Sequence, residues 1–145
     1  MRKFLIVITL LYSTFFYAQN NENPQLVQQS EFIKLNLSNF DLYLNEVYLE
    51  EISYVHLNDS RHYNRLLSLM ENRMFITYFP YHETEKYDNL LNMPLFNIYN
   101  SNLVYDYEFD INSFNPFKYD LDFFPRLTKF YRIAYTDYAL IINPN

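Results

Sequence analysis

The sequence contains no glycine, no cysteine and no tryptophan. Average usage would place about ten glycines in a chain of this length, so their absence excludes several familiar sites. The phosphate-binding P-loop, the GxGxxG dinucleotide motif, the GxSxG nucleophile elbow and the standard EF-hand loop all require glycine. We therefore expect none of these sites. We expect the 18 asparagines, together with aspartate, to form the turns, because these residues tolerate left-handed backbone best after glycine.

The lack of cysteine excludes disulfide bonds, thiolate-bound metals and the cysteine-linked lipid anchor of bacterial lipoproteins. Packing alone must then hold the fold together. Basic residues are also scarce, since 11 Lys plus Arg stand against 17 Asp plus Glu and the formal net charge is -6. We interpret the three neighbouring cations Arg126, Lys129 and Arg132 as a solvated face. The negative balance argues against nucleic acid as a partner.

The N-terminus has the three-part layout of a secretory signal peptide. Arg2 and Lys3 precede the apolar run FLIVITLLY, and a polar stretch follows Ala18. The apolar stretch extends over about 15 residues, whereas crossing a bilayer takes roughly 20. We predict a signal peptide over residues 1–18, cleaved after Ala18, and a flexible leader over 19–30. The mature protein is then secreted or periplasmic and has no transmembrane segment, with an uncleaved N-terminal anchor as the alternative.

Residues 31–145 are predicted to form a single globular domain, because this length suits one hydrophobic core and no linker divides it. Helical spacing predicts a helix over Ser60–Met74, and the aromatic and β-branched residues that follow predict a strand over Met74–Phe79. Two C-terminal apolar runs, 129–135 and 138–143, predict a β-hairpin. The predicted fold class is α+β, with an antiparallel sheet that includes this hairpin and one or two helices packed on it.

Three other segments receive predictions of their own. The alternating apolar residues of 32–44 predict a hairpin, but 40–57 also has helical spacing, so both interpretations stay open. Residues 85–91 predict a short helix that ends before Pro94. Residues 112–125 contain two prolines and several aromatics, which indicates an ordered loop packed by its own rings.

The segment Leu103–Ile111 alternates between apolar and acidic residues and predicts a half-exposed strand. Asp106, Glu108 and Asp110 would then lie on one face of that strand, about 7 Å apart, where Ca²⁺ could bridge them. The EF-hand pattern itself does not match, because Ile111 stands where that loop requires glycine. These three carboxylates are the predicted metal ligands, and a solvated acidic strand face is the alternative.

Asp120 and Asp122, again two positions apart, could supply paired carboxylates for glycoside hydrolysis together with the first acidic group, Asp106, Glu108 and Asp110. The histidines His56, His62 and His82 lack the spacing of a zinc enzyme, which places two of them four apart on one helix. We interpret all three as ordinary surface or half-buried side chains. The sequence predicts no catalytic residue and no bound cofactor other than the calcium ion.

The tail from Pro94 to Pro144 resembles the C-terminal half of small secreted proteins of flavobacterial type. The segments FNPFKYDLDFF and YRIAYTDYALIINP carry the resemblance, together with a signal that ends in Ala18-Gln19. The resemblance implies an exported bacterial protein. It covers about a third of the chain and brings no catalytic residues to transfer.

Three functions are compatible with these patterns. The leading hypothesis is a non-enzymatic binding or envelope-associated module that uses its acidic face or its tyrosines, of which there are 16, on a polysaccharide, an envelope protein or a divalent cation. A small secreted hydrolase is the alternative, and it requires a concave pocket with two carboxylates in unlike environments. An inhibitor or immunity-type partner protein is the third, and it requires an exposed aromatic patch larger than a few hundred Å².

Overall fold

The structure is a computed structural model that describes residues 32–53, 60–80 and 85–144. The predicted signal peptide and leader, together with His56 and His82, lie outside these ranges. Within the ranges, no helix is long and apolar enough to cross a bilayer.

The described residues contain one five-stranded sheet and two α-helices. The strands are β1 (Phe32–Lys34), β2 (Met74–Tyr78), β3 (Asp88–Asn89), β4 (Lys129–Arg132) and β5 (Tyr138–Ile142), in the spatial order β1-β2-β5-β4-β3. All neighbours are antiparallel except β3 and β4, which are parallel. The helices are α1 (Phe40–Tyr48) and α2 (Ser60–Asn72). The predicted α+β class is confirmed, and so are the helix that begins at Ser60, the strand that begins at Met74 and the C-terminal hairpin.

The hydrophobic core lies between one face of the sheet and the two helices. Helical spacing places five apolar side chains of α1 on one buried face: Phe40, Tyr43, Leu44, Val47 and Tyr48. The longer helix α2 contributes Leu66, Leu69 and Met70. Directly opposite residues of neighbouring strands share a face, so Ile76 of β2 and its partner Leu140 of β5 meet these helices together.

An ordered loop closes the core between β3 and β4. One 3₁₀ turn lies at Leu90–Asn92 and another at Pro116–Lys118. The second turn is buried, and its Phe117 packs edge-on against Phe40 of α1 at a centroid distance of 5.8 Å. Ring contacts within the loop, Phe114 with Tyr119 at 6.3 Å and Phe117 with Phe123 at 5.4 Å between centroids, agree with the prediction that 112–125 form an ordered loop packed by its own rings.

The hairpin predicted over 32–44 is wrong in its second half. Residues from Phe40 onward form α1, as the helical alternative stated, and β1 pairs with β2 instead. A short run of apolar residues fits both periods, but Leu42 remains 65% exposed while Leu44 is buried. The two side chains would share one face of a strand, whereas they lie well apart around a helix.

The helix predicted over 85–91 is also wrong. Asp88 and Asn89 pair with β4 as the short strand β3, and a single 3₁₀ turn follows. The Asn89 side chain accepts a hydrogen bond from the backbone N–H of Leu91 at 2.9 Å. This local bond competes with a helical hydrogen-bonding pattern, as asparagine side chains commonly do.

The left-handed backbone positions differ from expectation. Among the described residues, positive φ occurs at Leu49 (φ 49) and Tyr135 (φ 59), and neither is asparagine or aspartate. Asparagine does form turns, but through its side chain. Asn36, Asn89 and Asn115 each accept a hydrogen bond from a backbone N–H two residues later.

Candidate functional site

The strand predicted over 103–111, which was to display three carboxylates on one face, is not formed. Asp106 turns inward instead. One of its carboxylate oxygens accepts from the Lys118 ammonium at 2.6 Å, and the other accepts from the Tyr119 hydroxyl at 3.0 Å. Since Lys118 is only 4% exposed, a buried cation holds this carboxylate, and packing overrides the alternating pattern.

Asp110 has different partners, and Glu108 is exposed. The Asp110 carboxylate accepts from the backbone N–H of Asn112 at 3.0 Å and from the Ser113 hydroxyl at 3.1 Å. These two bonds, the backbone bond first, lower the pKa of Asp110. The structure does not bring the three predicted ligands together, and the described part of the chain holds no group of three acidic or histidine side chains able to bind a metal ion. Calcium binding therefore stays a prediction from the sequence alone.

Lys118 is the centre of a polar network that joins the loop to α1. Its Nζ lies 3.6 Å from Oε1 of Glu46, and Asn115 donates to the other oxygen of Glu46 at 2.9 Å. Burial raises the pKa of Tyr119, and the negative charge of Asp106 raises it further. A phenol that resists ionisation keeps its proton, and Tyr119 donates it in the hydrogen bond to Asp106.

A cavity of about 280 Å³ opens between α1, α2 and the ordered loop, and we call it the aromatic cleft. Its described lining residues are Tyr48, His62, Leu66, Phe96, Phe117, Asp120, Leu121, Asp122, Phe123 and Phe124. Five of them are aromatic, and two are carboxylates.

The loop segment 120–124 supplies half of this lining. Leu121 is buried, while Asp120 and Asp122 on either side of it are exposed. The backbone N–H of Phe124 donates to the Asp122 carboxylate at 3.3 Å, which turns the chain there. Phe123 packs on Phe117 with their ring centroids 5.4 Å apart. The carboxylates thus lie at the solvent side of a floor made of apolar side chains.

Tyr48, the last residue of α1, connects the two sides of the cleft. Its hydroxyl and Nε2 of His62 share a hydrogen bond of 3.2 Å. Its ring lies 6.0 Å from Phe96 and 5.2 Å from Tyr99. Burial raises the pKa of Tyr48, and the neighbouring Tyr99 phenol raises it further. These contacts fix the Tyr48 ring, so this wall of the cleft is formed in advance of any ligand.

A second, more open cavity of about 460 Å³ adjoins the cleft at Tyr48, and we call it the acidic depression. Its described lining residues are Tyr48, Leu49, Glu50, Glu51 and Tyr99. Neither set of described lining residues includes lysine or arginine. Two cations do stack on Phe124 of the cleft, where the guanidinium carbons of Arg65 and Arg73 lie 4.1 and 5.2 Å from the ring centre.

Sequence patterns identified part of this site. Asp120 and Asp122 were candidates in combination with the carboxylates of 106–110, and of these acidic residues only Asp120 and Asp122 are among the described lining residues of the cleft. Tyr48 and Phe96 were missed, because each lies in a segment with no distinguishing motif. Only folding brings these distant segments together.

No family model matches this chain, and the searches of curated proteins and of solved structures find no significant match either. The candidate site is therefore defined by its geometry and chemistry.

Proposed function

We propose that this protein is a non-enzymatic, exported binding module that takes a small ligand in the aromatic cleft. The observation that carries the proposal is the cleft itself, a concave site of about 280 Å³ with five aromatic and two acidic lining residues. Ligand sites are usually concave and mostly apolar, with a few polar groups that orient the ligand. Drug-sized ligands occupy pockets of roughly 300–1,000 Å³, so this one suits a smaller molecule or a single protruding group.

A small hydrolase is the second candidate, and the presence of Asp120 and Asp122 in one cleft favours it. Hydrolysis by two carboxylates needs one in an environment that keeps it protonated and one that stays ionised. Both aspartates are exposed at the solvent side of the cleft, so neither has the apolar surroundings that a catalytic acid needs. Their exposure supports binding over catalysis.

Export is supported by the N-terminal sequence, in which a charged start and an apolar run lead to Ala18. The compartment is secreted or periplasmic. Mass spectrometry of the protein from its native host should find a mature N-terminus at Gln19. A cytosolic protein that retains Met1 would contradict the proposed export.

The binding proposal is tested by an NMR screen of the folded protein against small saccharides, amines and carboxylic acids. We expect hits to shift the amide signals of segment 117–124 and of Tyr48. The variant Phe96→Trp partly fills the cleft and should weaken those hits, whereas Val104→Trp adds the same ring at an exposed position outside the cleft and should not. Hits that shift signals elsewhere and are insensitive to Phe96→Trp would refute the proposal.

The hydrolase alternative has its own assay on the same protein. Chromogenic glycosides and esters are incubated with the parent chain and with Asp120→Asn. Turnover by the parent that Asp120→Asn abolishes would establish the enzyme and overturn the non-enzymatic assignment.

A further inference from the structure

We infer that the ligand of the aromatic cleft is a small organic cation whose charge lies on an alkylated ammonium group. This inference rests on the proposed binding function and names its ligand class. It follows from three properties of the site: its rings, its charge and its size.

Rings dominate the lining of the cleft. Phe96 and Tyr48 form one side, and Phe117, Phe123 and Phe124 form the other and the floor. Ring faces attract cations through their quadrupole, and recognition of alkylated ammonium groups by several rings is a common use of this attraction. The Phe124 ring already stacks with the guanidinium groups of Arg65 and Arg73, so the other four rings are the ones left to attract a ligand cation.

The carboxylates are the only permanently charged side chains among the described lining residues, although the guanidinium groups of Arg65 and Arg73 lie against the Phe124 ring. Asp120 and Asp122 lie in the cleft, and Glu50 and Glu51 line the adjoining depression. Carboxylates accept hydrogen bonds and donate none, so they could bind the hydroxyl hydrogens of a polyol but would give its oxygens no donor. A fully alkylated ammonium needs no acceptor or donor of its own and is attracted by the negative field.

The volume limits the cation to a small one. About 280 Å³ accommodates a group such as the trimethylammonium end of choline with a short apolar arm. The same acidic opening disfavours cations that carry an anion next to them, because a phosphate would lie close to Asp120 and Asp122. Choline is therefore expected to bind better than phosphocholine.

A ligand series tests the inference by calorimetric or NMR titration of the folded protein. Choline is compared with 3,3-dimethylbutan-1-ol, its neutral isostere, and with phosphocholine. We expect choline to bind about tenfold more tightly than the isostere, the size of a cation–π and carboxylate contribution of this kind. Vesicles of phosphatidylcholine separate the lipid source of the cation from the free one, and we expect the free cation to be preferred.

Matched charge variants locate the effect. Asp120→Asn with Asp122→Asn should weaken choline binding about five- to tenfold and reduce its dependence on salt. Glu85→Gln with Glu108→Gln removes the same charge from exposed positions outside the cleft and should leave the affinity within about twofold. All four side chains are exposed, so these variants should fold.

The outcomes separate this inference from the proposed function. Equal binding of choline and its isostere, or binding of a neutral saccharide in the cleft without choline, would overturn the cation and leave the binding module standing. Tight binding of phosphocholine or of lipid vesicles alone would overturn the preference for a free cation. If choline binds but both charge variants behave alike, the carboxylates of the cleft are not its partners and the inference fails.

Discussion

At the scale of single residues, Lys118 is a buried cation held by the carboxylates of Asp106 and Glu46. A cation that is 4% exposed is stable there only because Asp106 contacts it at 2.6 Å and Glu46 lies nearby. Removing one member of a buried ion pair leaves the other charge without compensation. Replacing both together is much less costly.

Lys118→Met should accordingly lower the free energy of unfolding by about 3 kcal/mol. This value is at the low end of the range for a broken buried ion pair, because Asp106 keeps some contact with water. Urea unfolding measures the change. Lys34→Met removes a cation from an exposed position of β1 and should change stability by less than about 0.5 kcal/mol. Adding Asp106→Asn to Lys118→Met should restore part of the loss. Equal stability of the two single variants would show that the pair contributes little.

At the scale of elements, the turn of the β4–β5 hairpin contains backbone strain. Tyr135 has φ 59 and is 83% exposed, so its side chain contributes little packing in return. A residue other than glycine in this region destabilises the folded state by roughly 1–3 kcal/mol. Glycine has no such strain, but it loses more conformational entropy on folding.

Tyr135→Gly is therefore expected to raise the free energy of unfolding by about 0.5–1 kcal/mol. Tyr107→Gly removes another exposed tyrosine, at a position where φ is not positive, and should give no gain. Thermal melting of the two variants and the parent provides the measurement. A lower melting temperature for Tyr135→Gly than for the parent would contradict the strain assignment.

Sequence patterns correctly predicted the elements in which the hydrophobic periodicity extends over many residues or ends at a clear turn signal. These are the helix α2, which begins at Ser60, and the strands β2 and β5, which begin at Met74 and Tyr138. The segment 103–111 failed for a definite reason: its alternation suits a strand, but Asp106 finds Lys118 twelve residues later and turns inward. Long-range contacts of this kind leave no trace in a local pattern.

The aromatic cleft likewise contains residues that the sequence pattern identified and residues that only the fold brings there. Spacing alone singled out Asp120 and Asp122, because these two acidic residues lie two positions apart. Nothing local distinguishes Tyr48, whose importance comes from rings and a histidine contributed by other segments.

At the scale of the whole molecule, ionisation of buried phenols couples stability to alkaline pH. Burial is the main cause that raises the pKa of Tyr48, Tyr63, Tyr119 and Tyr131 in the fold. The ordinary pKa in an unfolded chain is about 10. The folded state thus binds more protons above this pH, and the stability these groups give below pH about 10 is lost as the pH rises further.

We expect the free energy of unfolding to fall from about pH 10 upward, and the folded protein to ionise fewer tyrosines than the unfolded chain there. Tyrosinate absorbance, recorded with and without denaturant, measures the difference. Tyr119→Phe should reduce it, since that phenol is among those held protonated. Identical titration curves for the folded and unfolded chains would contradict the predicted coupling.

Among the described residues, the two outer strands of the sheet are very short, with three residues in β1 and two in β3. An edge strand has unpaired backbone N–H and C=O groups to which a strand of another chain can hydrogen-bond. A short edge strand offers few such groups. This matters for a chain in which 21% of residues are aromatic, since aromatic-rich strands favour intermolecular stacking. Because β1 and β3 are short, we expect them to disfavour fibril-like association between copies of the protein.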